Sequence, residues 1–173
     1  MFQYFSTSES QDQKPKILHF GKDTSKTTIL LISGSHGNEP AGPIYLTKQF
    51  VTTKLENCAR DYNIKIIVIP KVNKLGLLQN KRRVPDTIPW DLNRAYPRKG
   101  HQEVRELIKT YLHFINKAQL VVDLHESKGY RTMDRRTKGR TKGSGIYYNG
   151  YGKSGTIVQK MVQNVNQIID NQD

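Results

Sequence analysis

The chain has 173 residues, 35% of them hydrophobic and 25% charged, with a formal net charge of +13. That length gives one domain with a sizeable core, the dense apolar runs exclude a disordered chain, and no stretch approaches the roughly 20 apolar residues of a membrane span. Residues 1–14 are polar and lack a secretory leader's apolar segment. Cys58 is the single cysteine, so an intramolecular disulfide is excluded and a reducing, cytoplasmic setting is expected.

Residues 1–14 read as a flexible polar lead-in, and the globular part as 15–173. Lys16 to Phe20 is a short strand, with His19 as an ordinary strand residue, and Gly21-Lys22-Asp23 is a turn. Thr27 to Ile32 is a continuous apolar run, the mark of a strand covered on both faces. Next comes Ser33-Gly34-Ser35-His36-Gly37-Asn38-Glu39-Pro40. A helix is expected from Ala41 to about Asn57, carrying an imperfect stripe of Ile44, Leu46, Phe50, Val51 and Leu55. Ile64 to Ile69 is the next strand, ended by Pro70. Residues 71–100 form a connection long enough to suggest a functional loop.

Gln102 to Lys117 has the clearest 3.6-residue period, through Val104, Leu107, Ile108, Tyr111, Leu112 and Ile115. His113 lies off that stripe, facing solvent, and His101 is incidental at the helix start. Gln119 to Leu124 is a third strong strand, with His125-Glu126 at its carboxyl end. Ile146-Tyr147-Tyr148 is a short strand, and Ile157, Met161, Val162, Val165, Ile168 and Ile169 mark a last amphipathic helix. Strands alternating with helices predict an α/β fold in three αβα layers around a mixed, largely parallel sheet.

The positive charge collects in Lys81-Arg82-Arg83 and in Arg131 to Lys142. Without a nucleic-acid motif or interleaved aromatics, this is first a solvated basic surface, second an attractor of anionic substrate, and only third a nucleic-acid binder.

Catalytic zinc takes three protein ligands of N/O type and leaves one position open. His36 and Glu39 supply two from one turn, where glycines let the backbone bend tightly. His125 supplies a third from another strand end, where ligands collect in open α/β sheets. A metal-bound imidazole also needs an acceptor on its other nitrogen, and Asp123 or a backbone carbonyl can orient His125. In Asp91-Leu92-Asn93-Arg94-Ala95-Tyr96-Pro97, an arginine fork and an asparagine amide together can grip a carboxylate. The expected partner is a small anionic substrate or a peptide carboxylate, and a homo-oligomer stays open.

His36-Gly37-Asn38-Glu39, Asp91-Leu92-Asn93-Arg94 with Pro97, and Asp123-Leu124-His125 together resemble the zinc carboxypeptidase superfamily, in particular its succinylglutamate desuccinylase/aspartoacylase branch. The resemblance implies one zinc on His36, Glu39 and His125, and a substrate carboxylate on Asn93 and Arg94. It also implies an arginine, Arg83 with Arg82 as rival, that polarises the reacting carbonyl. The expected activity is zinc-dependent hydrolysis of an amide in an N-acyl amino acid or at a peptide C-terminus. The family's base is a late glutamate, and no glutamate follows Glu126 here. Glu126, next to His125, is the candidate for a substitute base, although neighbouring side chains at a strand end tend to point to opposite sides. The chain reads as carboxypeptidase-like but lacking its C-terminal part, and a metal-binding scaffold without turnover is the alternative. The basic loop 131–142 is expected to act as a lid.

Overall fold

A computed structural model describes residues 14–83, 91–95, 102–126 and 154–170. Four strands are β1 (Leu18–Phe20), β2 (Thr28–Ser33), β3 (Lys65–Ile69) and β4 (Leu120–Leu124). The helices are α1 (Ala41–Leu46), α2 (Gln49–Asp61), α3 (Lys74–Leu78), α4 (Leu92–Ala95), α5 (Gln102–Lys117) and α6 (Ser154–Asp170). The strands form one sheet in the order β1-β3-β2-β4. β2 runs parallel to both β3 and β4, while β1 lies antiparallel on β3. The sheet is thus mixed and largely parallel, as the β-α-β alternation predicts.

Side chains alternate across a strand, so the continuous apolar runs feed two cores. On one face Leu30, Ile32, Ile67 and Ile69 pack with Val72, with Leu92 of α4, and with Val104, Ile108 and Tyr111 of α5. On the other, Ile66 and Val68 pack with Leu46 of α1 and with Val51 and Ala59 of α2. Each fully buried Leu, Ile or Val contributes about 1.5–3 kcal/mol, so both faces of the sheet are fixed by helices.

Two expectations need correction. The helix expected from Ala41 to about Asn57 is two helices, broken where Lys48 takes an extended backbone (φ −69°, ψ 137°). Thr47 Oγ1 there donates back to Pro43 O at 2.9 Å and Ile44 O at 3.1 Å, a side-chain bond that competes with helix propagation. α2 then runs on to Asp61. It ends in a left-handed Asn63 (φ 49°), with Ile64 N–H on Ala59 O and Asn63 N–H on Arg60 O, the hydrogen-bond pair of a Schellman stop. The connection 71–100, read as loop, contains α3 and α4. β1 begins at Leu18 rather than Lys16, and α5 matches its expected bounds.

The chain divides into two compact units, Met1–Glu126 and Ser127–Asp173. In the second unit α6 covers the expected last helix, with Ile157 and Val162 partly exposed. Residues 1–13, the strand expected at 146–148, the loop 131–142 and His101 lie outside the described residues. Among the described residues, no helix is long and apolar enough to cross a membrane.

Candidate metal centre

β2 lies between two parallel neighbours, so its carboxyl end stands in the middle of the sheet edge. The register pairs Ile32 with Asp123 and Ser33 with Leu124, so β2 and β4 end side by side. Beyond Ser33 the chain turns through Gly34, whose φ of +70° is open to glycine at little cost. The turn is then sewn to the loop after β3. Ser33 Oγ donates to Pro70 O at 2.6 Å, Val72 N–H to Ser33 O and Asn73 N–H to Gly34 O. Gly37 lies so close to the Gly76 and Lys81 carbonyls that any side chain there would collide with them. Its N–H donates to Arg82 O at 3.2 Å. These contacts bury His36 and Glu39, which are 3% and 8% exposed.

Glu39 is the hub. Its Oε1 lies 2.8 Å from His36 Nδ1 and its Oε2 lies 2.8 Å from His125 Nδ1. One nitrogen or oxygen from each of the three residues lies within 4.8 Å of the others. The far nitrogens are held as well. His36 Nε2 is 3.1 Å from Asp91 Oδ1, and His125 Nε2 is 3.1 Å from Asp123 Oδ2. The Asn93 side-chain amide approaches that same His125 nitrogen at 3.1 Å. The imidazole rings are 4.9 Å apart and tilted by 49°.

The charges are mutually supporting. Burial pushes the Glu39 carboxyl up, but the Glu126 N–H, the His125 hydrogen bond and the two imidazoles outweigh it and hold the pKa low. Asp91 is lowered likewise: burial opposes, while His36, the Asn93 N–H and Arg82 prevail. The Asp123 hydrogen bond, against burial and with help from Glu39, raises His125 to about 9.

The expected site residues therefore fall into groups. His36, Glu39 and His125 converge, with Asn93 beside them. Arg94 follows on α4, anchored by buried Leu92, with its N–H on Asp91 O and its side chain exposed. Of the two loop arginines, Arg82 reaches the cluster. Its Nη1 donates to Glu39 Oε1 at 2.9 Å, and its Nε lies 3.7 Å from Asp91 Oδ2; Arg83 is exposed. Glu126 donates its N–H to Glu39 Oε2 at 3.1 Å, while its own carboxylate accepts from Ala41 N–H.

Two contacts escaped the sequence reading. Asp91 was legible only as the head of the Asp-Leu-Asn-Arg stretch, with no sign that it turns toward His36. Arg82 carried no mark that separates it from Arg83.

The donor set suits a metal of the zinc type. It offers two imidazoles and one carboxylate, with each imidazole backed by an acid on its other nitrogen, the arrangement that fixes the tautomer and orientation of metal-bound histidine.

The family model of the succinylglutamate desuccinylase/aspartoacylase catalytic domain matches residues 25–137. No curated protein matches the chain. Among solved structures, a succinylglutamate desuccinylase/aspartoacylase from Rhodobacter sphaeroides is 25% identical with a TM-score of 0.50, over 65% of this chain and 33% of the other. A succinylglutamate desuccinylase from Silicibacter sp. TM1040 is 22% identical with a TM-score of 0.50, over the same shares of each chain. The match thus spans 33% of the length of each of these two structures.

Proposed function

The chain belongs to the succinylglutamate desuccinylase/aspartoacylase catalytic-domain family, and from that premise we propose that it carries the metal and substrate-holding part of a zinc-dependent amide hydrolase. The observation that carries this reading is the convergence of His36 Nδ1 and His125 Nδ1 on the Glu39 carboxylate, with Asp91 and Asp123 behind the two rings. In the proposed reaction water adds to the acyl carbon of an N-acyl amino acid or C-terminal peptide bond. The C–N bond breaks, leaving a carboxylic acid and an amine that takes up a proton. Zinc on His36, Glu39 and His125 would supply Lewis acidity toward the carbonyl and bring a coordinated water's pKa to about 7.

The other roles belong to the chain's own side chains. Asp91 and Asp123 hold the imidazoles in the tautomer that turns Nδ1 toward the shared centre. The Arg94 guanidinium, with the Asn93 amide, grips the substrate carboxylate through paired, charge-assisted hydrogen bonds. A loop arginine steadies the negative charge that develops on the carbonyl oxygen. Arg82 is the better placed of the two for this, since it already reaches Glu39, and Arg83 is the alternative. Glu126, the base expected from the sequence, has its Oε2 engaged by the Ala41 N–H.

Metal analysis combined with a hydrolysis panel tests the proposal. The expected result is about one zinc per chain, lost in His36→Ala and His125→Ala. Release of amine from N-acyl amino acids should fall when the substrate carboxylate is esterified. A folded chain that takes up no zinc overturns the reading. Zinc uptake without turnover supports a second reading, a metal-binding scaffold, which the engagement of Glu126 with Ala41 favours.

A further inference from the structure

Helix α1 begins without a cap of its own. Pro40 precedes it at φ −81°, ψ −14°, with no side-chain acceptor for the first-turn N–H groups, and such groups need partners. The partner comes from 85 positions along the chain: Ala41 N–H donates to Glu126 Oε2 at 3.1 Å. The Glu126 N–H donates in turn to Glu39 Oε2, also at 3.1 Å. One residue thus bonds to the chain on both sides of Pro40, while following His125 directly. Where α1 starts there is little slack, because a side chain on Gly42 would press on Ser33 and touch Leu124.

We infer that Glu126 is a positioning residue: its carboxylate caps α1 and thereby ties the turn carrying Glu39 to the strand end carrying His125. It is a structural acceptor rather than the proton acceptor of the hydrolysis. The inference rests on the zinc reading for its functional consequence, but the tie itself exists without metal. A hydrogen bond needs only an acceptor oxygen in this place, which a glutamine supplies and an alanine does not. Proton abstraction needs the carboxylate.

The test compares Glu126→Ala with Glu126→Gln in the full chain, by amide exchange at Ala41 without metal and by zinc titration against a competing chelator. Glu126 is exposed, so neither change opens a core cavity. For Glu126→Ala, Ala41 exchange should accelerate and zinc affinity fall by about 10-fold, the scale of losing a group that orients a ligand. Glu126→Gln should keep both within about threefold of the parent, on the same scale. The inference is overturned if Glu126→Ala leaves Ala41 protection and zinc affinity unchanged. It is overturned equally if Glu126→Gln abolishes hydrolysis while holding zinc normally, the signature of a base. If the parent chain takes up no zinc while Ala41 protection still follows the acceptor at 126, the metal reading fails and the tie stands.

Discussion

The loop after β2 and the end of β4 each bring one imidazole to Glu39, at the same 2.8 Å, and each imidazole has an aspartate 3.1 Å behind it. Their surroundings differ. The His36 side chain is 3% exposed and that of His125 is 33% exposed. β2 has a parallel neighbour on both sides, and its loop is pressed against α3 through Gly37 and Gly76. β4 has β2 as its strand partner among the described residues. One half of the site is thus set by packing. The other half is set mainly by polar contacts at a rim that solvent can reach.

Removing the hub should have the largest effect. Glu39→Ala strips the common partner from both imidazoles and from Arg82. Isothermal titration should show zinc affinity reduced by more than about 100-fold, beyond the loss of an orienting group alone. Retention of tight binding would mean the two halves do not meet at Glu39.

The next test separates the halves directly. His36→Ala leaves buried Glu39 and partly buried Asp91 without their imidazole, and chemical unfolding should show a loss of about 1–3 kcal/mol. His125→Ala acts at the rim and should lose about 1 kcal/mol or less. Both variants should fail to bind zinc. Equal stability losses would break the comparison between a packed half and an open one.

A smaller effect is expected behind the ligands. Asp91→Asn and Asp123→Asn should each weaken zinc binding by about 10–100-fold. The Asp91 change should be the worse, because that side chain is 16% exposed against 32% for Asp123. The reverse order in a chelator competition would place the tighter constraint on the rim.

The mildest expectation concerns pH. The folded His125 pKa is raised from 6.5 to about 9, so the folded state binds the proton more tightly than the unfolded chain does. In metal-free protein this stabilisation is fully present below about pH 6.5 and is lost as pH rises through about 9. Melting temperatures followed across that window should decline in the parent and flatten in His125→Gln. A parent without the decline would contradict a charged His125 in the metal-free site.

Local periodicity carried much of the fold. β2, β3, β4 and α5 follow from apolar runs and from a 3.6-residue stripe long enough to outweigh competing signals. α3 was hidden because Lys74 to Leu78 is too short to show a period, and its start depends on the Asn73 side chain accepting from Gly76 N–H. The break at Lys48 was hidden because Thr47 and Lys48 are tolerated inside helices. At the site, His36, Glu39 and His125 stood out because metal-capable side chains sat at strand ends in a glycine-rich context. Asp91 and Arg82 did not, since a loop sequence gives no direction to its side chains.

Residue order alone marked β2 as a strand covered on both faces and showed which turn would hold two metal-capable residues. Apolar spacing and glycine placement act over a few residues and need no knowledge of distant partners. Only the tertiary structure decided that Asp91 stands behind His36, that Arg82 rather than Arg83 reaches Glu39, and that Glu126 caps α1. Each of those contacts joins segments more than 40 positions apart. Their geometry follows from parallel strand register and loop packing, which only the folded chain sets.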